Sequence, residues 1–315
     1  MSEFFDVIIV GAGLSGISAA YHLQTRCPAK RYAILEARGS IGGTWDLFRY
    51  PGVRSDSDMF TLGYRWKPWR DAKSIADGAS ILDYVREAAR ETGVERRVRY
   101  QQRVVRASWS SERARWSVEV QTESGENLRY SCNFLYMCTG YYRYSQGYDP
   151  HIAGQESFQR RVLHPQHWPA DLDYAGKRVV VIGSGATAMT LVPALAKRAA
   201  QVIMLQRSPT YVVSAPARDR LSALLRQRLP PTAAYDVSRW KNVLVGALFF
   251  QLARRAPRFA KRQLLKGVRE ALGPQGDALA ERYARLRAGT ADDPEAILAE
   301  LPAQFAGYFR GALAW

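Results

Sequence analysis

A glycine-rich turn occurs twice in this chain, each time between an apolar strand-like run and an apolar helix-like run. The first is G-A-G-L-S-G, from Gly11 to Gly16, and the second is G-S-G-A-T-A, from Gly183 to Ala188. In such a turn the first glycine permits the tight bend, the second lets the backbone approach a pyrophosphate, and the third small residue lets the helix pack on the strand. The sequence therefore predicts an α/β fold with two Rossmann-like dinucleotide-binding domains with parallel sheets.

Hydrophobic periodicity places each turn inside a β-α-β unit. Around the first turn we predict strands at 5–10 and 32–36 and a helix at 14–24, and around the second, strands at 178–182 and 201–206 and a helix at 186–198. Between these units we predict a helix at 80–91, with Ser80 as its N-cap, and strands at 98–107, 115–122 and 133–137. Residues 216–315 have a helical pattern, with a helix start at Asp293-Pro294-Glu295.

The charge and cysteine content argue against several classes of function. The chain has 315 residues and a formal net charge of +16, but its Lys and Arg residues are scattered and accompany no recognisable nucleic-acid-binding module. We interpret the charge as a solvated basic surface and expect no nucleic-acid partner. The three cysteines (Cys27, Cys132 and Cys138) are odd in number and lack C-x-x-C spacing, which argues against a disulfide framework, a zinc site or a redox dithiol, and we expect no metal site.

One apolar run raises the question of membrane contact. It covers residues 243–253, well below the roughly 20 residues that a membrane-spanning helix needs. Basic residues flank it: Arg239, Lys241, Arg254, Arg255 and Arg258. Since no leader pattern opens the chain, we expect a cytoplasmic protein. The apolar run would then form a buried or amphipathic helix, or a peripheral contact with a membrane.

The first turn predicts a site for FAD or NAD. Gly11, Gly13 and Gly16 form the turn, and Glu36 follows the next strand at the spacing where a carboxylate accepts the ribose hydroxyls. A carboxylate also repels a 2′-phosphate, which disfavours NADP. The run Gly42-Gly43-Thr44-Trp45 follows the acid and offers a second backbone approach to a long cofactor.

The second turn predicts a site for NADP. The strand after it ends in Arg207 and Ser208 at the position where an NAD site carries an acid, and an Arg fork can bind a 2′-phosphate. The candidate residues of this site are Gly183, Ser184, Gly185, Ala186, Thr187, Ala188, Met189, Arg207 and Ser208.

Several motifs in order resemble class B flavin monooxygenases of the Baeyer–Villiger type. Residues 36–56, E-A-R-G-S-I-G-G-T-W-D-L-F-R-Y-P-G-V-R-S-D, are similar to the FAD domain of that family, and M-C-T-G-Y at 137–141 is similar to its interdomain hinge. The family signature F-x-G-x-x-x-H-x-x-x-W-P is matched by Phe158, His164, Trp168 and Pro169, while Arg160 replaces its glycine. The resemblance extends to about residue 258.

The resemblance implies roles for individual residues. FAD contacts fall at Ser15, Glu36, Gly43, Thr44, Trp45, Asp46, Leu47 and Asp56, with Val104 meeting the adenine through its backbone. Arg54, Ser55 and Asp56 are expected to face the nicotinamide half of NADPH, with Arg54 and Asp56 as the catalytic candidates. The implied domains are an FAD-binding domain at 1–145, an NADP-binding domain at 146–215 and a helical, divergent segment at 216–315.

The implied activity is that of an FAD- and NADPH-dependent monooxygenase. It would insert one atom of O₂ into a ketone or oxidise a thioether-like sulfur. Two alternatives remain open: a catalytically impaired truncated homologue, and a flavin-dependent NADPH reductase. After Ala260 the chain shows neither the family's return to the FAD domain nor its N-P-W-D-Q-R-like segment with the active-site Arg. We therefore expect weak or uncoupled oxygenation from this chain.

Overall fold

The computed structural model describes residues 3–206 and 217–272. The strands in these ranges are β1 (Glu3–Val10), β2 (Tyr32–Leu35), β3 (Val98–Arg99), β4 (Gln102–Ser110), β5 (Arg115–Thr122), β6 (Asn127–Met137), β7 (Arg178–Ile182) and β8 (Gln201–Leu205). The helices are α1 (Leu14–Arg26), α2 (Thr44–Leu47), α3 (Met59–Leu62), α4 (Gly78–Glu91), α5 (Ala186–Leu195), α6 (Arg220–Arg228), α7 (Pro231–Arg255) and α8 (Pro257–Leu272). Short 3₁₀ helices lie at Val94–Arg97, Gln155–Ser157 and Pro165–His167.

The chain forms two compact units that interleave along the sequence. The first contains the chain up to Ser55, together with Ala76–Gly147 and His164–Leu172. The second contains Asp56–Ile75, Tyr148–Leu163 and the described residues from Asp173 onward. The contiguous domain boundaries expected from the sequence stay a prediction.

A six-stranded sheet in the order β3-β2-β1-β6-β5-β4 forms the centre of the first unit. β1 pairs in parallel with β2 and β6, and β2 pairs in parallel with β3. β4 and β5 extend the sheet as an antiparallel meander that ends in β6. The predicted α/β class is confirmed, and the parallel part of the sheet carries two additional antiparallel strands.

Apolar side chains of the parallel strands build the core of this unit. All four residues of β2 are buried, as expected for a parallel strand that is covered on both faces. A buried cluster joins them to the meander: Phe5, Ile8, Val10, Ala33, Leu35, Val118, Val120, Tyr130 and Cys132. The core fixes the carboxyl ends of β1 and β2, where a doubly wound sheet binds its ligand.

The predicted start of α4 is wrong by two residues, and Ser80 is not the N-cap. Asp77 is the N-cap, and its side chain accepts a hydrogen bond from the backbone N–H of Ser80 at 2.9 Å. Asp and Ser are comparable capping residues, so local preference did not decide between them. Asp77 and Ser80 thus form one capping arrangement that begins the helix at Gly78.

Two predicted strands also differ from the observed ones. The strand expected at 98–107 is divided into β3 and β4, because Gln101 between them adopts a left-handed conformation with φ of 56°. β3 pairs with β2, while β4 pairs with β5. The strand expected at 133–137 begins at Asn127, since its first half forms the hairpin with β5.

The second unit contains the β-α-β unit predicted around the second turn. β7 and β8 pair in parallel, and α5 connects them. α5 ends at Leu195 and not at the predicted residue 198, because the N–H groups of Arg198 and Ala199 both turn back to the carbonyl of Leu195. Helices α6, α7 and α8 confirm the helical pattern between residues 220 and 272. The helix start expected at Asp293 lies outside the described residues.

None of the helices that the structure describes is long and apolar enough to cross a membrane. The apolar run at 243–253 forms the second half of α7.

Candidate functional site

The first glycine turn joins β1 to α1 in a conformation that only glycine adopts easily. Gly11 has φ of 106°, and its N–H donates to the carbonyl of Leu35 at 2.8 Å. A methyl group on Gly11 would lie 2.5 Å from the carbonyl oxygen of Cys138, and one on Gly16 would collide with the carbonyl of Gly11. The predicted glycine roles of a tight bend and close helix packing are therefore visible in the structure.

Helix α1 begins directly after this turn. Its N-cap is Gly13 in an extended conformation, and no side chain caps the helix. Ser15 lies exposed in the first turn. The N-terminus of a helix offers N–H groups and a positive dipole end, which suit an anion such as a diphosphate.

Glu36 lies at the end of β2 with its carboxylate held against the glycine turn. It is only 5% exposed. One carboxylate oxygen accepts the N–H of Ala12 at 2.7 Å, and the other accepts the N–H of Arg38 at 2.9 Å. A carboxylate has about four lone-pair positions, so each oxygen retains acceptor capacity for a ribose hydroxyl. The geometry fits the dinucleotide that the sequence predicts here.

A second glycine pair approaches the same turn from the loop before α2. The N–H of Gly42 donates to the carbonyl of Ala12 at 3.2 Å. Gly43 has φ of 56°, and a methyl group on it would lie 3.0 Å from the Cα of Gly13. The bare backbones of Gly13 and Gly43 therefore lie in close contact next to the N-terminus of α1. Thr44, Trp45 and Leu47, the other predicted contacts in this loop, are partly buried in α2.

Asp46 is buried among three arginines. It is 2% exposed and forms ion pairs with Arg38 and Arg49 at 2.7 Å and with Arg86 at 2.9 Å. The hydroxyl of Ser40 also donates to it at 2.6 Å. These contacts of its carboxylate stabilise the loop. A direct contact between Asp46 and FAD stays a prediction. Sequence reasoning missed Arg86, which lies on α4 and has no local signal.

The remaining FAD-side candidates lie in different settings. Arg54 is exposed and forms an isolated antiparallel bridge with Asp77, while Ser55 is 5% exposed. Asp56 is exposed and begins the second unit. Val104 is partly buried, at a bulge in β4. Their roles toward the nicotinamide and the adenine stay predictions.

The second glycine turn reproduces the backbone of the first. Gly183 has φ of 118°, and its N–H donates to the carbonyl of Leu205 at 2.7 Å, as Gly11 donates to Leu35. Gly185 is the N-cap of α5, with φ of −76° and ψ of −178°, against −78° and −173° for Gly13. No described atom lies within 4 Å of a methyl group built on Gly183 or Gly185. The turn therefore presents open backbone to a ligand.

The other predicted residues of the second site are only partly described. Ala188 is buried, so it packs α5 as expected for the third small residue of the turn. Ser184, Thr187 and Met189 are partly buried, and Ala186 is exposed. Arg207 and Ser208, which carry the prediction of NADP, lie outside the described residues.

The cysteines provide no redox pair. Cys27 is exposed, Cys132 is buried and Cys138 is partly buried, and all three are free thiols. Burial raises the pKa of Cys132 to about 11, which keeps this thiol protonated and unreactive at neutral pH. The described residues contain no group of His, Cys, Asp and Glu arranged to hold a metal ion.

Comparison with known proteins gives a consistent set of relatives. The sequence profile described as pyridine nucleotide-disulphide oxidoreductase matches residues 8–243. The FAD-containing monooxygenase EthA of Mycolicibacterium smegmatis is 50% identical over 312 residues, which cover 93% of this chain and 63% of that protein. The chain thus spans less than two thirds of the length of this relative.

Two solved structures share the fold. An oxidised steroid monooxygenase bound to NADP is 30% identical, with a TM-score of 0.61 over 74% of this chain and 43% of its own. OTEMO in complex with FAD and NADP is also 30% identical, with a TM-score of 0.58 over 68% of this chain and 41% of its own.

Proposed function

Because the chain belongs to the pyridine nucleotide-disulphide oxidoreductase family, we propose that it is an FAD- and NADPH-dependent flavoprotein monooxygenase. The resemblance to flavin monooxygenases that the motifs indicated is confirmed by the relatives found. The observation that carries the proposal is the pair of glycine turns with matching backbone geometry, each at the N-terminus of an uncapped helix.

FAD is assigned to the first turn. The buried carboxylate of Glu36 is oriented by two backbone N–H groups and would bind the ribose hydroxyls. Gly13 and Gly43 would let the diphosphate approach bare backbone beside the N-terminus of α1, because neither residue places a side chain there. An acid at this position disfavours a 2′-phosphate, so NADPH is assigned to the second turn, where Arg207 would bind that phosphate.

The proposed substrate is a ketone or a thioether together with O₂. When bound, the reduced flavin supplies the activation of O₂ and the transfer of one oxygen atom. The protein contributes binding and orientation. Glu36 would bind the adenosine end of FAD, Arg54 and Asp56 are the proposed catalytic contacts, and Ser55 would face the nicotinamide half of NADPH. Interactions that are positioned in advance in this way need no reorganisation during the reaction.

The test is NADPH oxidation under isotopically labelled O₂ with a simple ketone or thioether. We expect an ester or sulfoxide that contains one labelled oxygen atom. Hydrogen peroxide is measured in parallel to quantify uncoupled turnover. Consumption of NADPH with no labelled product on any substrate of either class would contradict the monooxygenase proposal and favour a flavin-dependent NADPH reductase.

A disulfide reductase is the less supported alternative, although the family description includes such enzymes. These reactions use a pair of thiols near the flavin, whereas the three cysteines here are separated along the chain, and Cys132 is protonated and buried. A reductase of this kind would oxidise NADPH while reducing an added disulfide to two thiols, without incorporating labelled oxygen into a product.

We also propose that α7 and α8 contact an anionic membrane surface. The second half of α7 exposes large apolar side chains: Leu244, Val245, Leu248, Phe249, Phe250 and Leu252. Exposed cations follow at its end and along α8: Arg254, Arg255, Arg258, Lys261, Arg262 and Lys266. The sequence has no acidic residue between 243 and 267. Apolar side chains next to a cationic face suit the interface of a bilayer with anionic lipids.

Flotation with lipid vesicles tests this contact. We expect binding to phosphatidylglycerol vesicles that weakens at high salt, and little binding to phosphatidylcholine vesicles. Leu248→Asp should abolish it, because Leu248 is 69% exposed and would carry a charge into the apolar layer. Val105→Asp is the control, since Val105 is 50% exposed on β4 in the other unit. Failure to bind anionic vesicles, or self-association that Leu248→Asp abolishes, would contradict the proposal.

A further inference from the structure

Gln166 is a buried amide within the segment that matches the family signature. It is 4% exposed. Its side-chain nitrogen donates to the carbonyls of Arg143 and Tyr144, at 2.7 and 3.2 Å. The two N–H groups of this side-chain amide thus donate to the carbonyls of two consecutive residues. Because a buried polar group without its partners is costly, this arrangement fixes the backbone at Arg143 and Tyr144.

The short helix that carries Gln166 also rests on the same stretch of chain. His164 caps this helix, and its Nδ1 accepts the N–H of Gln166 at 3.2 Å. The imidazole lies where a side chain at Gly147 would stand, so glycine is required there. Burial, with a contribution from His167, lowers the pKa of His164, which keeps Nδ1 available as an acceptor at neutral pH.

Tyr144 extends from this fixed backbone to the first glycine site. Burial raises the pKa of Tyr144, and the nearby side chain of Thr44 partly opposes that rise. The hydroxyl of Tyr144 lies 3.4 Å from where a methyl group on Gly43 would stand. The guanidinium of Arg38 lies over the ring, 5.8 Å from its centre. The phenol therefore lies beside the close contact between Gly43 and Gly13.

We propose that Tyr144 binds the diphosphate of FAD through its hydroxyl and that Gln166 positions Tyr144 for this contact. This inference rests on the proposed assignment of FAD to the first turn. A phenol hydroxyl can donate to a phosphate oxygen, and a donor beside Gly43 and Gly13 adds to the N–H groups at the N-terminus of α1. Burial raises the pKa of Tyr144, so the donor keeps its proton at neutral pH.

Gln166 thus gives the signature segment a role toward the flavin site. Its two hydrogen bonds are the link between the short helix Pro165–His167 and the backbone of Tyr144. The amide of Gln166 donates to the backbone of Arg143 and Tyr144 and acts through them, so Gln166 is a positioning residue. Its effect on FAD should therefore depend on the Tyr144 hydroxyl.

A double-mutant cycle measures that dependence. The apoprotein is titrated with FAD, and binding is followed by quenching of flavin fluorescence, for the wild type, Tyr144→Phe, Gln166→Leu and the double variant. A hydrogen bond to a charged group predicts a loss of about 10- to 100-fold in affinity for Tyr144→Phe. Gln166→Leu alone should give a similar loss of FAD affinity. In the Tyr144→Phe background, the same change should lower the FAD affinity by less than about 3-fold. Tyr142→Phe, a neighbouring phenol change, should leave the affinity unchanged.

Each outcome decides the inference. Wild-type affinity in Tyr144→Phe, which preserves the ring and the fold, overturns the role of the hydroxyl. Fully additive losses from the two changes overturn the claim that Gln166 acts through Tyr144. If the wild-type apoprotein binds no FAD, the proposed function itself fails, and that result is distinct because it appears before any variant is made.

Discussion

The carboxylate of Glu36 accepts a hydrogen bond from the backbone N–H of Ala12 at 2.7 Å. Ala12 is the residue between the first two glycines of the turn, and its carbonyl accepts the N–H of Gly42. One peptide segment therefore joins the end of β2, the glycine turn and the second glycine pair. Because these bonds are made by the backbone, the carboxylate is oriented by the fold and is independent of any side-chain partner.

Replacing Glu36 should release FAD. Glu36→Ala removes the acceptor for the ribose hydroxyls, and we expect at least a tenfold loss of FAD affinity, since hydrogen bonds to a charged group contribute about 1.5–3 kcal/mol. Glu36→Arg should be worse, because it adds bulk and the wrong donor pattern. Flavin fluorescence titration measures both, with the exposed Glu112→Ala as control. Wild-type flavin content in both Glu36 variants would show that the first turn is misassigned.

Gly185 gives a test of the second turn that separates binding from folding. Its φ of −76° suits any residue, and a methyl group there meets no described atom within 4 Å. Gly185→Ala should therefore change the free energy of unfolding by less than about 1 kcal/mol, the cost of a poorer N-cap. If a pyrophosphate approaches this backbone, the methyl group should weaken NADPH binding roughly tenfold or more.

Calorimetric titration with NADPH and thermal unfolding check the two effects of Gly185→Ala, with FAD content as an internal control. Unchanged NADPH affinity in a folded variant would mean that the nucleotide does not lie over the second turn.

Arg207 should discriminate between the two nicotinamide cofactors. Losing a charge-assisted contact costs about 1.5–3 kcal/mol, so Arg207→Ala should weaken NADPH binding by roughly 10- to 150-fold. NADH lacks the 2′-phosphate and should bind the variant as it binds the wild type. Equal losses of affinity for NADPH and NADH would show that Arg207 does not bind the 2′-phosphate.

Asp219 should stabilise the helical part of the second unit in a pH-dependent way. It caps α6 through the N–H groups of Leu221 and Ser222, and it pairs with Lys241 of α7. Burial alone would raise the pKa of Asp219, but the bonds from Lys241 and Ser222 outweigh it and lower the pKa to about 2. A depressed pKa means that this stabilisation is present above the unfolded value near 3.8 and is lost as the pH falls toward 2.

Asp219→Ala should lower the free energy of unfolding by about 1–3 kcal/mol at neutral pH. The difference from the wild type should shrink as the pH falls below about 4. Denaturant unfolding across this range is the measurement, with Asp236→Ala as the comparison, because Asp236 pairs with Arg65 in a more exposed position. A difference that does not vary with pH would mean that the carboxylate charge contributes nothing.

The β-α-β units and the glycine geometry could be predicted because they depend on local sequence. Gly11 needs a positive φ, and the apolar periods of β1 and α1 lie on either side of it, so a few residues determine the turn. The predicted ends of helices and strands were less accurate where two neighbouring residues could begin or end the element at nearly equal free energy. The N-cap of α4, at Asp77 and not Ser80, is such a case.

The parts of the site that could not be predicted are contacts between distant positions. Arg86 reaches Asp46 across 40 residues, and Gln166 reaches Tyr144 across 22. Neither pair has a periodic or motif signal, because tertiary packing alone brings them together. Asp46 was expected to contact FAD directly, but its carboxylate is surrounded by Arg38, Arg49 and Arg86, which no local pattern indicated.

The most direct test of the account is the anaerobic reduction of the FAD-loaded chain by NADPH, followed at the visible flavin absorption band. We predict that the apoprotein takes up one FAD per chain and that NADPH bleaches the band, with NADH much less effective at equal concentration. This result is expected if the two glycine turns bind the cofactors assigned to them. A chain that retains no FAD, or an FAD-loaded chain whose flavin NADPH leaves oxidised, would contradict the account.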